Sequence, residues 1–340
     1  MSESPTVNYA ANVQALAEAD FSEVADSFAN AGYQVRLPVK GILQIALPNP
    51  ARRRLRLLLS VGVHGDETAP IEMLAHLLHA LTAEPHALQA DLMVVVGNLA
   101  AIAQGKRYLE VDLNRLFTSE RGALHAAAEA ERADAIMRAT AAFFGGDGGG
   151  GGEKWHLDLH TAIRKSHYPT FAIVPDVIAE PAKRNLAAWL GGAGIGAIIL
   201  NAKVAPTYSA YTARQFGAAS CTAELGQIGV LGNNDLSQFA MTSAALDTML
   251  RSGDTLAFRN VMPHVFQVAQ EIVKRSDDFR LNFDRATQNF TAFEPGTLIA
   301  TDGACSYSVG AATEYVVFPN PDVRVEQRAG LMVVRRNKEI

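Results

Sequence analysis

Apolar and polar positions along this chain fall into two regimes. From residue 55 to about residue 250, apolar runs of strand length alternate with stretches of helical periodicity. Runs at 55–63, 92–97, 155–160, 171–174, 197–200 and 222–225 predict strands. Between them, 71–81, 123–144, 178–190 and 235–250 predict helices. Such alternation predicts an α/β fold, a mostly parallel or mixed sheet flanked by helices. After about residue 255 the helical periodicity fades. Short β-like runs at 266–274, 279–283, 297–301, 315–318 and 331–335 take over. The expected organisation is a catalytic α/β unit over residues 1–255 and a smaller β-rich unit over 256–340.

In sheets of this kind ligands collect at the carboxyl ends of strands. Three segments put chemistry there. His64 and Glu67 stand three apart in Val63-His64-Gly65-Asp66-Glu67, on a strand-to-helix turn. His160 closes a second run in Asp158-Leu159-His160, and Glu224 lies at the end of a third in Thr222-Ala223-Glu224. Two imidazoles and a carboxylate are the ligands of a catalytic zinc site whose fourth position is open to water. H-E-x-x-H is absent, and Thr68 after Glu67 breaks H-x-x-E-H. The third ligand therefore comes from far away in sequence, which suits His160. Glu224 is the expected base for the bound water. Asp66 is expected either to orient His64 or to cap the following helix. His76, His79, His86, His125, His156 and His264 are expected to be ordinary core or surface imidazoles, and His167 to lie beside the cleft.

Composition narrows the class without naming it. The 340 residues are 49% hydrophobic and 19% charged, as expected of a soluble globular protein with a substantial core. The net charge of −5 argues against nucleic acid as a partner. Arg52-Arg53-Arg54 reads as a solvated face, and the glycine-rich stretch at 145–152 as a flexible surface loop. Cys221 and Cys305 are the only cysteines, which predicts a reducing compartment and no disulfide framework. No signal peptide or membrane span is apparent, so the expected location is the cytoplasm.

The arginines suggest what binds. Arg107 lies in Lys106-Arg107-Tyr108, and Asn114 and Arg115 in Asp112-Leu113-Asn114-Arg115. Arg164 follows His160 by four, and Arg214 precedes Glu224 by ten. Arginine forks take carboxylates bidentately. Flanking a metal, they predict a small substrate with more than one carboxylate.

G-V-H-G-D-E, K-R-Y, D-L-N-R-L-F, D-L-H-T-A and A-E-L-G, in that order, resemble the succinylglutamate desuccinylase/aspartoacylase family, which is related to zinc carboxypeptidases. The resemblance runs from about residue 40 to the end and is closest to the bacterial succinylglutamate desuccinylase branch. It implies a carboxypeptidase-like domain partly covered by a C-terminal β domain. It implies one zinc ion on His64, Glu67 and His160, with Glu224 as base and acid. Arg107 would polarise the scissile carbonyl. Asn114 and Arg115 would hold the amino acid's α-carboxylate and Arg214 a second one. Arg164 or Lys165 is then a candidate for the succinyl carboxylate. The implied reaction splits N-succinyl-L-glutamate, an intermediate of arginine catabolism, into succinate and L-glutamate. The alternatives are deacylation of another N-acyl amino acid such as N-acetylaspartate, a carboxypeptidase, or a binding protein that kept the fold. The sequence departs from the family at Asn98-Leu99, where Asn-Pro is common. Tyr315 is not assigned the role of a substrate-binding tyrosine found in the aspartoacylase branch.

Overall fold

A computed structural model describes residues 9–48, 55–145, 152–203, 205–257 and 262–336. The basic triplet and most of the glycine-rich stretch lie outside the described residues.

The strands are β1 (Gln34–Arg36), β2 (Ile42–Ala46), β3 (Arg56–Val61), β4 (Asp91–Val96), β5 (Lys154–Ala162), β6 (Thr170–Pro175), β7 (Ala197–Asn201) and β8 (Ala219–Gln227). After them come β9 (His264–Val273), β10 (Arg280–Leu281), β11 (Thr291–Phe293), β12 (Leu298–Asp302), β13 (Cys305–Ser308), β14 (Glu314–Val317) and β15 (Arg328–Arg335). The helices are α1 (Tyr9–Ala17), α2 (Ser22–Asn30), α3 (Ala69–Ala83), α4 (Leu99–Ala103), α5 (Ala128–Gly145), α6 (Glu180–Gly192), α7 (Tyr208–Phe216) and α8 (Ala240–Ser252).

Twelve strands form one mixed sheet in the order β1-β2-β4-β3-β5-β8-β6-β7-β9-β15-β14-β11. At its centre β4, β3, β5 and β8 run parallel, and β6 enters antiparallel to β8. The central strands are apolar on both faces because both faces are covered. In β3, Leu57, Leu59 and Val61 pack into the core beneath α3, α6 and α8, while Leu58 packs into the core with α5 and α7. Each such burial contributes roughly 1.5–3 kcal/mol.

The β-rich C-terminal region is joined to this sheet by hydrogen bonds. Strand β9 pairs parallel with β7, and β15 pairs antiparallel with β9. Among the described residues, only β10, β12 and β13 form a separate three-stranded sheet.

Two helices start later than their apolar pattern predicts. Residues 122–126 form a 3-10 turn before α5, and Asp235 caps a 3-10 turn, Leu236–Phe239, before α8. The predicted strand at 279–283 shrinks to the two residues of β10. Helices α1, α2, α4 and α7 and strands β1, β2, β11 and β13 are short elements that the sequence reading does not pick out. Among the described residues no helix is long and apolar enough to cross a membrane.

Candidate active site

The turn after β3 is shaped by glycines. Gly62 takes a left-handed φ of +62°, which favours glycine. Gly65 packs so tightly on α4 that a Cβ there would lie 2.4 Å from the backbone of Ala101 and Ile102. Its amide donates to the Arg107 carbonyl at 3.1 Å. This close approach brings the loop carrying Arg107 and Asp112 over the His64 turn. A second clamp is Glu129, in the first turn of α5. Its carboxylate accepts the amides of Leu109, Glu110 and Val111 at 2.7, 3.1 and 3.2 Å.

His64, Glu67 and His160 converge as expected, all buried, and are the one such group of potential metal ligands among the described residues. Glu67 Oε1 lies 2.8 Å from His64 Nδ1, and Oε2 lies 2.8 Å from His160 Nδ1. Oε2 also accepts the Thr161 amide at 3.1 Å, and Oε1 accepts from Arg107 Nη1 at 2.7 Å. Burial opposes the charge on Glu67, but the two imidazoles overcome it and hold the carboxyl well below its ordinary range. The two Nδ1 atoms are 3.2 Å apart. If both carried protons to reach Glu67, two N–H groups would confront one another. One cation shared by three donors removes that conflict, so the residues fit a metal ion.

Each imidazole has a carboxylate beside its other nitrogen: for His64 this is a hydrogen bond, the arrangement that orients metal-binding histidines, and for His160 an ion-pair approach. His64 Nε2 lies 2.9 Å from Asp112 Oδ1, and His160 Nε2 lies 3.0 Å from Asp158 Oδ2. Burial pushes both imidazole pKa values down. For His64 the charges of Glu67 and then Asp112 outweigh it, for His160 those of Asp158 and then Glu67, so both stand raised. The cluster therefore favours positive charge at its centre.

Strand alternation puts His156, Asp158 and His160 on one face of β5. Ser60 Oγ donates to Asp158 Oδ1 at 2.6 Å and lies 2.8 Å from His156 Nε2, while His156 Nδ1 lies 2.8 Å from Thr212 Oγ1 on α7. Asp158→Asn should weaken the affinity of the cluster for a divalent metal about 10–100-fold, measured by competition with a chelator, while leaving the fold intact.

His156 is wholly buried, and burial pushes its pKa down to about 4 from 6.5, with the nearby Asp158 opposing. A depressed histidine stabilises the fold above the unfolded value, and that contribution is lost as pH falls from about 6.5 to about 4. Of order 3 kcal/mol is at stake. His156→Gln should flatten the dependence of thermal midpoint on pH across that window. An unchanged slope would refute the assignment.

Glu224 sits on β8 in register with His160 and is buried. Its Oε2 has no hydrogen-bond partner among the described residues. Burial, and then the negative charge of Glu67, push its carboxyl up to about 7.

The other expected residues divide. Asn114 is buried, and its Oδ1 accepts the Tyr208 amide at 2.8 Å, which leaves the amide nitrogen as a donor. Arg115 reaches Asp112 at 3.6 Å and is partly exposed. Arg214 lies on the exposed side of α7 and lines a cavity of about 280 Å³ with Asp176, Asn201 and Lys203. None of the metal-binding cluster lines that cavity. Arg164, a candidate for the succinyl carboxylate, has Nε and Nη1 engaged by backbone carbonyls. Its guanidinium donates to the carbonyls of Pro319 and Arg285, strapping the strand after His160 to the C-terminal region. Asp66 neither orients His64, which Asp112 does, nor caps α3, and its buried Oδ1 has no partner among the described residues. His167 meets Thr291 at 3.5 Å, at the C-terminal region. Tyr315 packs edge-on against Phe266, 5.3 Å between ring centres, in the apolar core. Asp112 opens the D-L-N-R-L-F motif, which is read only for its Asn and Arg, and Glu129, Ser60 and His156 carry no local motif, so the sequence reading does not find the roles of these four.

Comparison with known proteins shows the family. The family model for the succinylglutamate desuccinylase/aspartoacylase catalytic domain matches residues 53–250, and that for the AstE/AspA barrel-sandwich hybrid domain matches residues 262–336. The chain is 44% identical to the succinylglutamate desuccinylase of Burkholderia thailandensis over 86% of its own length and 84% of the relative's. The crystal structure of succinylglutamate desuccinylase from Vibrio cholerae superposes with a TM-score of 0.82 at 28% identity, covering 92% of this chain and 94% of that one. The Chromobacterium violaceum structure of the same name gives 0.78 at 33%, covering 93% and 98%. The matched catalytic model spans more than half of the chain, and the 44% identical relative is matched over most of both lengths: this protein belongs to the succinylglutamate desuccinylase/aspartoacylase family.

Proposed function

We propose that this chain hydrolyses the amide bond of N-succinyl-L-glutamate to succinate and L-glutamate, using a zinc ion held by His64, Glu67 and His160. The reading rests on one observation above the others. Glu224 is a buried carboxylate with an unpartnered oxygen, held near neutrality and in register with His160. Buried carboxylates are costly unless they are paired or used.

When bound, zinc acidifies water to a pKa of roughly 7 and polarises a carbonyl. The chain does the rest. Glu224 accepts a proton from the attacking water and returns it to the departing amine nitrogen, a task suited to a pKa near the working pH. Arg107 is fixed by Nη1 on Glu67, with Nη2 3.2 Å from His64 Nε2, and its remaining N–H groups serve the oxygen that gains charge at the amide carbon. Asn114 and Arg115 hold the α-carboxylate of the amino acid, and Arg214 serves a carboxylate from the cavity beside α7. Residues 1–255 carry the chemistry, and residues 256–340 complete the substrate site. The location we propose is cytoplasmic, and the pathway arginine catabolism.

The test is turnover of N-succinyl-L-glutamate against N-acetyl-L-aspartate and a peptide panel, with and without added zinc. Zinc-dependent preference for the succinylated substrate is expected. Peptide cleavage, or N-acetylaspartate hydrolysis, without succinylglutamate turnover would sink the reading.

A further inference from the structure

Strand β6 lies inside the sheet, between β8 and β7, and its residues fall into rows that cross the three strands. Phe171 stands between Glu224 and Ala197, and Ile173 between Thr222 and Ile199. Pro175 follows, opposite Asn201. Register partners share a face of the sheet, so these rows lie on the face that bears Glu224 and, on β5, His160. Successive rows are about 7 Å apart.

The first row holds Glu224. The third opens on the cavity of about 280 Å³, which Pro175 and Asn201 line together with Ala210 and Arg214 of α7. Ser209 precedes Ala210, and its hydroxyl lies 2.8 Å from Thr222 Oγ1, in the middle row. The α7 wall of the cavity therefore reaches up to the level of Ile173. Ile173 itself is partly exposed, whereas its row partners Thr222 and Ile199 and its neighbour Phe171 are buried. Both faces of this sheet are covered, so an apolar side chain on an inner strand is exposed only where open space lies over it.

Helix α7 gives the direction of what lies in that space. Asn114, assigned above to the α-carboxylate, accepts the amide of Tyr208 in the first turn of α7 at 2.8 Å. Arg214 stands six residues further on, about 9 Å along the helix axis. An amino acid held at both places lies along α7, with the carbons between its two carboxylates over Ile173.

We infer that Ile173 is a specificity-determining residue, the floor that carries the methylene groups of the glutamate side chain and sets its length. This rests on the amidohydrolase reading above and on its assignment of Arg214 to a carboxylate. One methylene in an apolar pocket discriminates about 10–200-fold.

The experiment uses the full-length, metal-loaded chain and substrates that differ by single methylenes: the N-succinyl derivatives of L-aspartate, L-glutamate and L-2-aminoadipate, and N-glutaryl-L-glutamate. Ile173→Phe fills the space and should lower the glutamate-to-aspartate ratio of kcat/KM at least about tenfold, mainly through KM. Ile173→Ala opens it and should raise the aminoadipate-to-glutamate ratio by about the same factor. The glutaryl-to-succinyl ratio should stay within about threefold in Ile173→Ala, because the acyl half lies elsewhere. Equal losses on all substrates, unchanged ratios, or a shift confined to the acyl half would overturn the assignment. Ile173→Ala decides alone if the larger residue prevents folding. A chain that hydrolyses N-acetyl-L-aspartate instead of the succinylated substrate refutes the proposed substrate alone. Ile173→Ala is then read on N-acetyl-L-glutamate against N-acetyl-L-aspartate, where a rise in that ratio supports the assignment and an unchanged ratio overturns it.

Discussion

Glu224→Gln should lower kcat on N-succinyl-L-glutamate by about 10²–10⁴-fold while the metal content of the chain is unchanged. Glutamine keeps the size and one acceptor of the carboxylate but takes no proton from water. Glu224 does not belong to the ligand cluster, whose three members are tied to one another at 2.8–3.2 Å. Metal content measured beside turnover therefore separates loss of the base from loss of the site. The change also replaces a buried group of raised pKa by a neutral one, so the thermal midpoint should not fall. Near wild-type turnover with zinc bound would make the mechanism wrong.

Arg107→Met comes next in size, with an expected loss of about 10²–10³-fold in kcat, the usual cost of removing one donor to a developing oxyanion. Methionine preserves the apolar stem and removes the charge. The cost has two sources that one measurement can divide. Arg107 donates to Glu67 Oε1 at 2.7 Å, so its removal also takes away a charge that holds Glu67 ionised. Loss through the oxyanion lowers kcat at saturating zinc. Loss through Glu67 weakens zinc affinity and is recovered by adding zinc. Full recovery by zinc would refute the direct role in catalysis.

The central fold was legible because buried parallel strands read as unbroken apolar runs. Leu57 to Val61 and Leu92 to Val96 meet side chains on both faces, so nearly every position is apolar. Helix α7 was hidden for the opposite reason. Its inner face is built from Tyr208, Ser209 and Thr212, whose hydroxyls bond Thr140, Thr222 and Ser220, so burial there follows no apolar period. At the site, His64 and Glu67 were legible because they follow β3 directly, and His160 and Glu224 because each ends an apolar run near the carboxyl end of its strand. Asp112 and Glu129 were not, since their work depends on a loop that Gly65 and α5 press into place from distant parts of the chain. Arg164 shows the limit on charge: the same guanidinium suits a substrate carboxylate or two backbone carbonyls, and local sequence does not distinguish them.

The pairing of β9 with β7 has a consequence for how the protein is made. Until residues 264–267 leave the ribosome, β7 has a partner on one side only, and its other edge presents unpaired amides and carbonyls to any strand that comes near. The nascent catalytic half therefore passes through an interval of adhesive incompleteness that ends when β9 docks. A stop codon just after α8 would make that interval permanent. Such a truncated chain would carry every expected zinc ligand and still be expected to accumulate as aggregate.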